Sequence, residues 1–306
     1  LLTGHVERFI RQAGQAPFLV FLAHKALHPN IVQHDDGSSS GVPGQDAGFI
    51  PAPRHAGRYA NAPVPRRPNA GPAPVRKPAL LRPLDGVPPL GPGTATPDRD
   101  VRARLEMLLA VDESLGRIVA ILEESGRLDE TVIVVLSDHG YFYGEHGLNE
   151  ERRLAYEESA RIPLIVRFPA VAKAGLTPAE MVQTIDLAPT VLELAGVADP
   201  APRHGRSLVP LLRGERPPWR DSILVEYYSD TVFPRIRNMG YRAVRTEQHK
   251  LIRYLELPGM EELYDLKADP CELDNLIGSD REASARPALE AELSRLRRET
   301  GDAARP

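Results

Sequence analysis

The stretch Thr131-Val-Ile-Val-Val-Leu-Ser-Asp138-His139-Gly140 constrains this chain more than any other. Five consecutive apolar residues, four of them β-branched, predict a strand buried on both faces. It follows a helical stretch that stops at Gly126, and it ends in a carboxylate, an imidazole and a glycine. In a parallel α/β sheet, ligands sit beyond the carboxyl ends of the strands. Asp138 and His139 are therefore candidate metal ligands. The plainer reading, that Asp138 only caps the next turn, stands beside it.

A second apolar run, Phe18-Leu-Val-Phe-Leu-Ala23, predicts another buried strand and ends in His24-Lys25-Ala26-Leu27-His28-Pro29. Two imidazoles and an ammonium there can all present N–H donors to an anion. A solvated basic loop is the competing reading. Before this run, Thr3 is placed to cap a helix through Val6, Phe9 and Ile10, closed by Gly14 and Pro17. After it, residues 30–99 are dominated by Gly, Pro and Ser. They read as an extended, partly disordered insertion with no core of its own.

From Asp98 a long helix is predicted, with an apolar stripe of Leu105, Leu108, Leu109, Leu115, Ile118, Val119 and Leu122, interrupted by Asp112. Ile162-to-Pro169 is the next strand, and Asp186-to-Gly196 a compact helix. Beyond Pro200 the pattern changes. The runs 222–228, 241–246 and 250–254 predict a small antiparallel sheet with one wet face. A last helix then lines up Leu289, Leu293 and Leu296. Residues 1–200 thus read as one domain carrying the insertion at about 30–99, and residues 201–306 as a smaller α+β subdomain.

A net charge of -4 over 306 residues gives no nucleic-acid footprint and no basic membrane-binding face. No apolar run approaches the roughly 20 residues that cross a bilayer. The one cysteine, Cys271, rules out an intramolecular disulfide.

Taken in order, these residues resemble the sulfatase family of the alkaline-phosphatase-like superfamily. The block Val135-to-Phe168 (VLSDHGYFYGEHGLNEERRLAYEESARIPLIVRF) carries most of the likeness. Weaker matches are Phe18-to-Pro29, Phe49-to-Tyr59, Met107-to-Leu122, Ile185-to-Val197, Gly205-Arg-Ser-Leu, Tyr241-to-Arg253 and Glu262-to-Pro270. The resemblance implies an α/β fold with a mostly parallel sheet flanked by helices, here incomplete, and a smaller C-terminal subdomain. It implies hydrolysis of sulfate esters or sulfamates by a divalent metal, Ca²⁺ or less often Mg²⁺, and a formylglycine nucleophile. Asp138 and His139 align with metal ligands, although imidazole is an unusual partner for so hard an ion. His28 aligns with a sulfate-contacting histidine, with Lys25 or His24 beside it. Arg152 falls where the family has a lysine; it keeps the charge and can fork onto two sulfate oxygens, but it cannot donate a proton at neutral pH. His146 and Tyr143 are expected to line the substrate pocket.

Two parts of the family pattern are missing. No Cys or Ser lies in a C/S-x-P-x-R motif, so formylglycine is not encoded here. The early pair of metal-binding aspartates is also absent; Asp35-Asp36 sits in a Gly/Ser-rich loop and reads as solvated. The expectation is an N-terminally truncated sulfatase, inactive alone, whose partners are a sulfated small molecule or glycan and the missing N-terminal half. Phosphonate or phosphodiester hydrolysis within the same superfamily is one alternative. A non-catalytic module binding sulfated glycans through His28, Lys25 and Arg152 is another.

Overall fold

A computed structural model describes every residue except 37, 150–151, 202, 229–232 and 303–306. In chain order it holds helix α1 (Leu2–Ala13), strands β1 (Ile31–Gln33) and β2 (Ser39–Gly41), helix α2 (Pro78–Leu81) and the long helix α3 (Asp98–Glu124). Strand β3 (Ile133–Leu136), helix α4 (Glu157–Ala160), strand β4 (Leu164–Arg167), helix α5 (Leu187–Leu194) and helix α6 (Val209–Leu212) follow. The chain finishes with β5 (Ser222–Tyr227), β6 (Tyr241–Thr246), β7 (His249–Tyr254), β8 (Glu262–Asp265) and α7 (Glu282–Glu299). The class is α/β, as expected.

Val6 and Ile10, one turn apart on α1, bury themselves against Ile121 and Leu122 of α3. Thr3 lies inside α1 instead of capping it, and its hydroxyl donates to Ser114 Oγ at 2.8 Å. Helix α3 stops where Gly126 adopts φ 67, which lets its N–H reach Glu123 O at 2.9 Å. The buried face of α3 differs from the leucine stripe. Leu105 and Leu108 are exposed, whereas Val101, Arg104, Glu106 and Met107 are buried. Arg104 and Glu106 can be inside because both have backbone partners, Leu27 O and Tyr59 N–H.

Strand β3 pairs with β4, Ile133 opposite Arg167 and Leu136 opposite Leu164, and the pair is antiparallel. Every ladder among the described residues is antiparallel, whereas the expected sheet is mostly parallel and incomplete. An apolar run carries no information on direction; its connections decide that. Burial on both faces is corrected, since no residue of β3 or β4 is buried. Phe18–Ala23 is an irregular segment instead of a strand. Phe18 and Leu22 pack beside Ile133 on the α1–α3 cluster, while Leu19 and Phe21 face solvent.

The sheet β5-β6-β7-β8 is antiparallel throughout. Leu289 and Leu293 of α7 cover Val244, Leu251 and Leu263 on one side. On the other, Ala243, Ile252, Tyr254 and Tyr264 pack with Phe142, Leu148, Tyr156, Ala79 and Leu80. Both faces are therefore dry, not one. The insertion is also better anchored than its composition suggests: Asn69, Lys77, Ala79, Leu80 and Leu90 are all buried, held by a core supplied from elsewhere in the chain. The key polar contact is Glu262 on β8. It accepts phenolic O–H groups from Tyr156 (2.7 Å), Tyr254 (3.1 Å) and Tyr264 (2.5 Å). The Lys77 ammonium lies 3.7 Å from the same carboxylate and 4.3 Å from the centroids of the Tyr156 and Tyr264 rings. A buried acid is tolerable only when so surrounded.

Candidate active site

Three residues beyond the end of β3, His139 places Nδ1 2.6 Å from Gly140 O. A carbonyl only accepts, so Nδ1 carries the hydrogen and the neutral ring turns a lone pair outward at Nε2. That Nε2 lies 3.3 Å from Asp138 Oδ2. Two acceptors this close repel unless a proton or a metal ion lies between them. Asp138 Oδ1 meanwhile accepts the His139 N–H at 3.0 Å, and the carboxylate is 86% exposed. Asp138 and His139 can thus present one oxygen and one nitrogen to a cation. Among the described residues, no group of three or more His, Cys, Asp or Glu could hold a metal ion. The pair fits a divalent ion in part, since Ca²⁺ takes roughly six to eight oxygen ligands.

The loop bearing this pair is tied down by backbone. Gly140 N–H donates to Ser159 O at 2.8 Å and Tyr141 N–H to Glu158 O at 2.9 Å. A Cβ on residue 140 would run into the Glu158 carbonyl, which is why glycine follows the Asp-His pair. Ser159 also donates from Oγ to Arg152 O. One residue next to α4's end therefore fastens both the Asp138–Gly140 loop and the loop that carries Arg152. On the other side, Arg104 of α3 reaches Leu27 O at 2.6 Å and Tyr143 Oη at 3.2 Å, and its guanidinium stacks 3.8 Å from the Tyr141 ring centroid. It joins the turn before His28 to the turn after Asp138. The sequence reading missed both. Arg104 left a signal, a charge in register with the buried Val101 and Met107; Ser159 left none.

Lys25 and His28 line a cleft of about 270 Å³ with Asn30, Ile50 and Met107. His28 Nδ1 lies 2.8 Å from Pro29 O, so its neutral ring offers only an acceptor at Nε2. It takes the imidazolium form of His28 to donate there to an anion. His24 is half-buried and is not part of the cleft lining; burial, helped by the chain's amino terminus, pushes its pKa down and away from the cationic form. Arg152 is half-buried, its carbonyl held by Ser159.

The expectation that His146 lines a substrate pocket is corrected. It is 1% exposed, with its ring 4.5 Å from that of Tyr156 and Nε2 3.6 Å from Glu158 Oε2. Gly144 and Gly147 flank it, and its own φ of 56 tucks the ring inward. Burial works to raise the Glu158 carboxyl, but the His146 and Asn69 side chains outweigh it and hold the group at about 2. Asn69 Nδ2 donates to Glu158 Oε1 at 3.0 Å and to Cys271 O at 2.9 Å. Cys271 itself is no activated nucleophile, because burial and the Glu158 charge push its thiol up.

Residues 1–197 match the family described as Sulfatase, and residues 144–299 match the one described as N-sulphoglucosamine sulphohydrolase, C-terminal. The chain is similar to the N-acetylglucosamine-6-O-sulfatase of Bacteroides thetaiotaomicron, with 40% identity over 192 residues, covering 62% of this chain and 34% of that protein. It is similar to the N-acetylglucosamine-6-sulfatase of Homo sapiens, with 30% identity over 263 residues, covering 77% of this chain and 47% of that one. In three dimensions it superposes, with a TM-score of 0.78 and 25% identity, on a protein solved in complex with its substrate D-glucosamine-2-N,6-O-disulfate. That match covers 99% of this chain and 70% of the other. The chain spans less than half the length of these two sulfatases. No described helix is long and apolar enough to cross a membrane. The fold is that of the alkaline-phosphatase-like enzymes, and since a match to the Sulfatase family runs over residues 1–197 of 306, the chain belongs to the sulfatase family.

Proposed function

We propose that this chain supplies one side of a sulfatase active site acting on a sulfated amino sugar. The observation that carries the reading is the contact between His139 Nε2 and Asp138 Oδ2, two acceptors 3.3 Å apart at the end of β3 with the ring's other nitrogen committed to Gly140 O. A proton on Nε2 or a cation between the two atoms relieves that contact, and of cations Ca²⁺ or Mg²⁺ is the one the family's chemistry calls for. Bound there, a divalent ion would withdraw charge from a sulfate oxygen. The amino-sugar sulfatases among its relatives, and the glucosamine disulfate bound by the superposed protein, favour an amino-sugar sulfate.

The remaining groups take defined parts. Lys25 and the imidazolium form of His28 hold sulfate oxygens in the cleft. Arg152 adds a guanidinium that binds charge without moving a proton. Hydrolysis breaks the ester S–O bond; the sugar oxygen takes a proton and sulfate departs with the oxygen of water. The chain contains no C/S-x-P-x-R motif from which a formylglycine could arise, so turnover requires polypeptide that carries one. The proposed organisation is a catalytic part over residues 1–200 and a supporting part over 201–306.

The test has two readings. Calorimetric titration with Ca²⁺ should show weak binding, with a dissociation constant on the order of 10⁻³ M, lost in Asp138→Ala. Sulfate release from N-acetylglucosamine-6-sulfate should be undetectable for the chain alone. Equal Ca²⁺ affinity in Asp138→Ala would sink the metal reading. Metal-dependent turnover by the chain alone would show that its nucleophile has been misjudged.

A further inference from the structure

Helix α4 is a single turn, too short to hold its own shape in water. What holds it comes mostly from the C-terminal sheet. Tyr156, the residue before it, donates its phenolic O–H to Glu262 on β8 at 2.7 Å. The Glu157 carboxylate lies 2.9 Å from Lys250 Nζ on β7 and 3.3 Å from Arg245 Nη2 on β6, two residues paired across those strands. The Glu157 N–H donates to Glu272 Oε2 at 2.7 Å, and the other oxygen of Glu272 takes Lys250 at 2.8 Å. The next carboxylate, Glu158, accepts from Asn69 Nδ2, which also reaches the carbonyl of Cys271.

The clamp on Glu157 is specific in direction as well as in strength. Lys250 is 1% exposed and Glu272 fully buried, and charges out of water hold only in good geometry. Glu272 adopts φ 52, a left-handed backbone uncommon for a residue with a side chain, which persists where the surroundings enforce it. Burial works to raise the Glu157 carboxyl, but Lys250 and Arg245 outweigh it and hold the group below its ordinary range. The same turn carries the site. Glu158 O takes the Tyr141 N–H, Ser159 O takes the Gly140 N–H, and Ser159 Oγ donates to Arg152 O. We propose that α4 couples the C-terminal sheet to the candidate site, with Glu157, Lys250 and Glu272 as positioning residues for the Asp138–His139 pair. They act on the pair through the carbonyls of Glu158 and Ser159. If the Glu157 clamp opens, the turn shifts and those carbonyls no longer meet the loop. That the positioned pair holds a divalent ion rests on the functional reading above; that α4 positions it does not.

The test is amide hydrogen exchange followed by NMR on the full chain without metal. In Glu157→Gln, which keeps the shape and removes the charge, exchange at Gly140 and Tyr141 should quicken at least about tenfold. The amides of Leu263 and Leu276, bonded to Asn275 Oδ1 and Leu263 O, should keep their rates. Arg245→Met removes only the partner at 3.3 Å. It should give the same pattern at smaller amplitude, and it decides the matter if Glu157→Gln does not fold. Glu282→Gln, which breaks an ion pair with Arg286 on α7, should leave all four amides unchanged. Unaltered rates at Gly140 and Tyr141 in the clamp variants overturn the proposal. Equal acceleration at Leu263 and Leu276 also overturns it, assigning the clamp to overall stability. Calorimetric titration carries the test to the site: Glu157→Gln should bind Ca²⁺ about tenfold more weakly than the unsubstituted chain. An unchanged affinity beside a loosened loop would show that α4 does not position the pair. No Ca²⁺ binding by the unsubstituted chain counts against the metal reading alone, and the exchange rates still decide the coupling.

Discussion

The β3–β4 ladder and the β5–β8 sheet invert the usual relation between hydropathy and burial. β3 is Ile-Val-Val-Leu, without one polar side chain, yet none of its residues is buried. β7 carries His249, Lys250 and Arg253 and still buries Lys250, Leu251, Ile252 and Tyr254. The difference lies in what each sheet packs against. α7 closes one face of the larger sheet, and the loops after β3 close the other. Its charges go inside because partners wait there: Lys250 Nζ meets Glu272 at 2.8 Å and Glu157 at 2.9 Å. A strand's composition sets what it tolerates; its neighbours set what it receives.

This contrast can be broken most directly through charge. Lys250→Ala leaves two carboxylates facing each other inside and should cost about 3–5 kcal/mol in urea unfolding. Next in size, Leu251→Ala should cost about 2–5 kcal/mol, and the matching Ile165→Ala on β4 no more than about 0.5. Similar losses at the two positions would show the ladder to be as well packed as the sheet. A smaller, pH-dependent effect belongs to Glu158, which braces the loop after β3. Its carboxyl falls from an ordinary 4.5 to about 2 in the fold. A depressed acid stabilises fully above the unfolded value, and that contribution drains away as pH drops from about 4.5 towards 2. Glu158→Gln should therefore be less stable at pH 7 and flatter across that interval; an unchanged slope would remove Glu158 from the account. The smallest effect is expected at Asp138→Ala, with stability moving less than about 0.5 kcal/mol because the carboxylate lies in solvent.

Much of this was legible in residue order. Apolar periodicity located α1, α3, α7 and strands β3 to β7, and the Asp-His-Gly ending pointed to a strand-end site. Strand direction was hidden, because Ile-Val-Val-Leu reads the same beside a parallel or an antiparallel neighbour. Strand β8 was hidden by Glu262 and Asp265, whose burial depends on tyrosines and a lysine distant in sequence. Asp138 touches His139, and Lys25 and His28 line one cleft, as residues one and three apart in sequence readily do. Spacing cannot tell whether a side chain turns in or out, which is how His146 was misplaced and Arg104 overlooked.

The grip of Glu262 on three phenols and of Lys77 on the same carboxylate bears on the order in which the protein can be made. Residues 66–96 have little regular structure and draw their order from a strand nearly two hundred positions downstream. During synthesis that early stretch waits, solvated, until residue 264 has cleared the ribosome. Only then can strand β8 and the loop around Lys77 close on a shared acid, so the two segments gain their order together, after residue 264 has emerged.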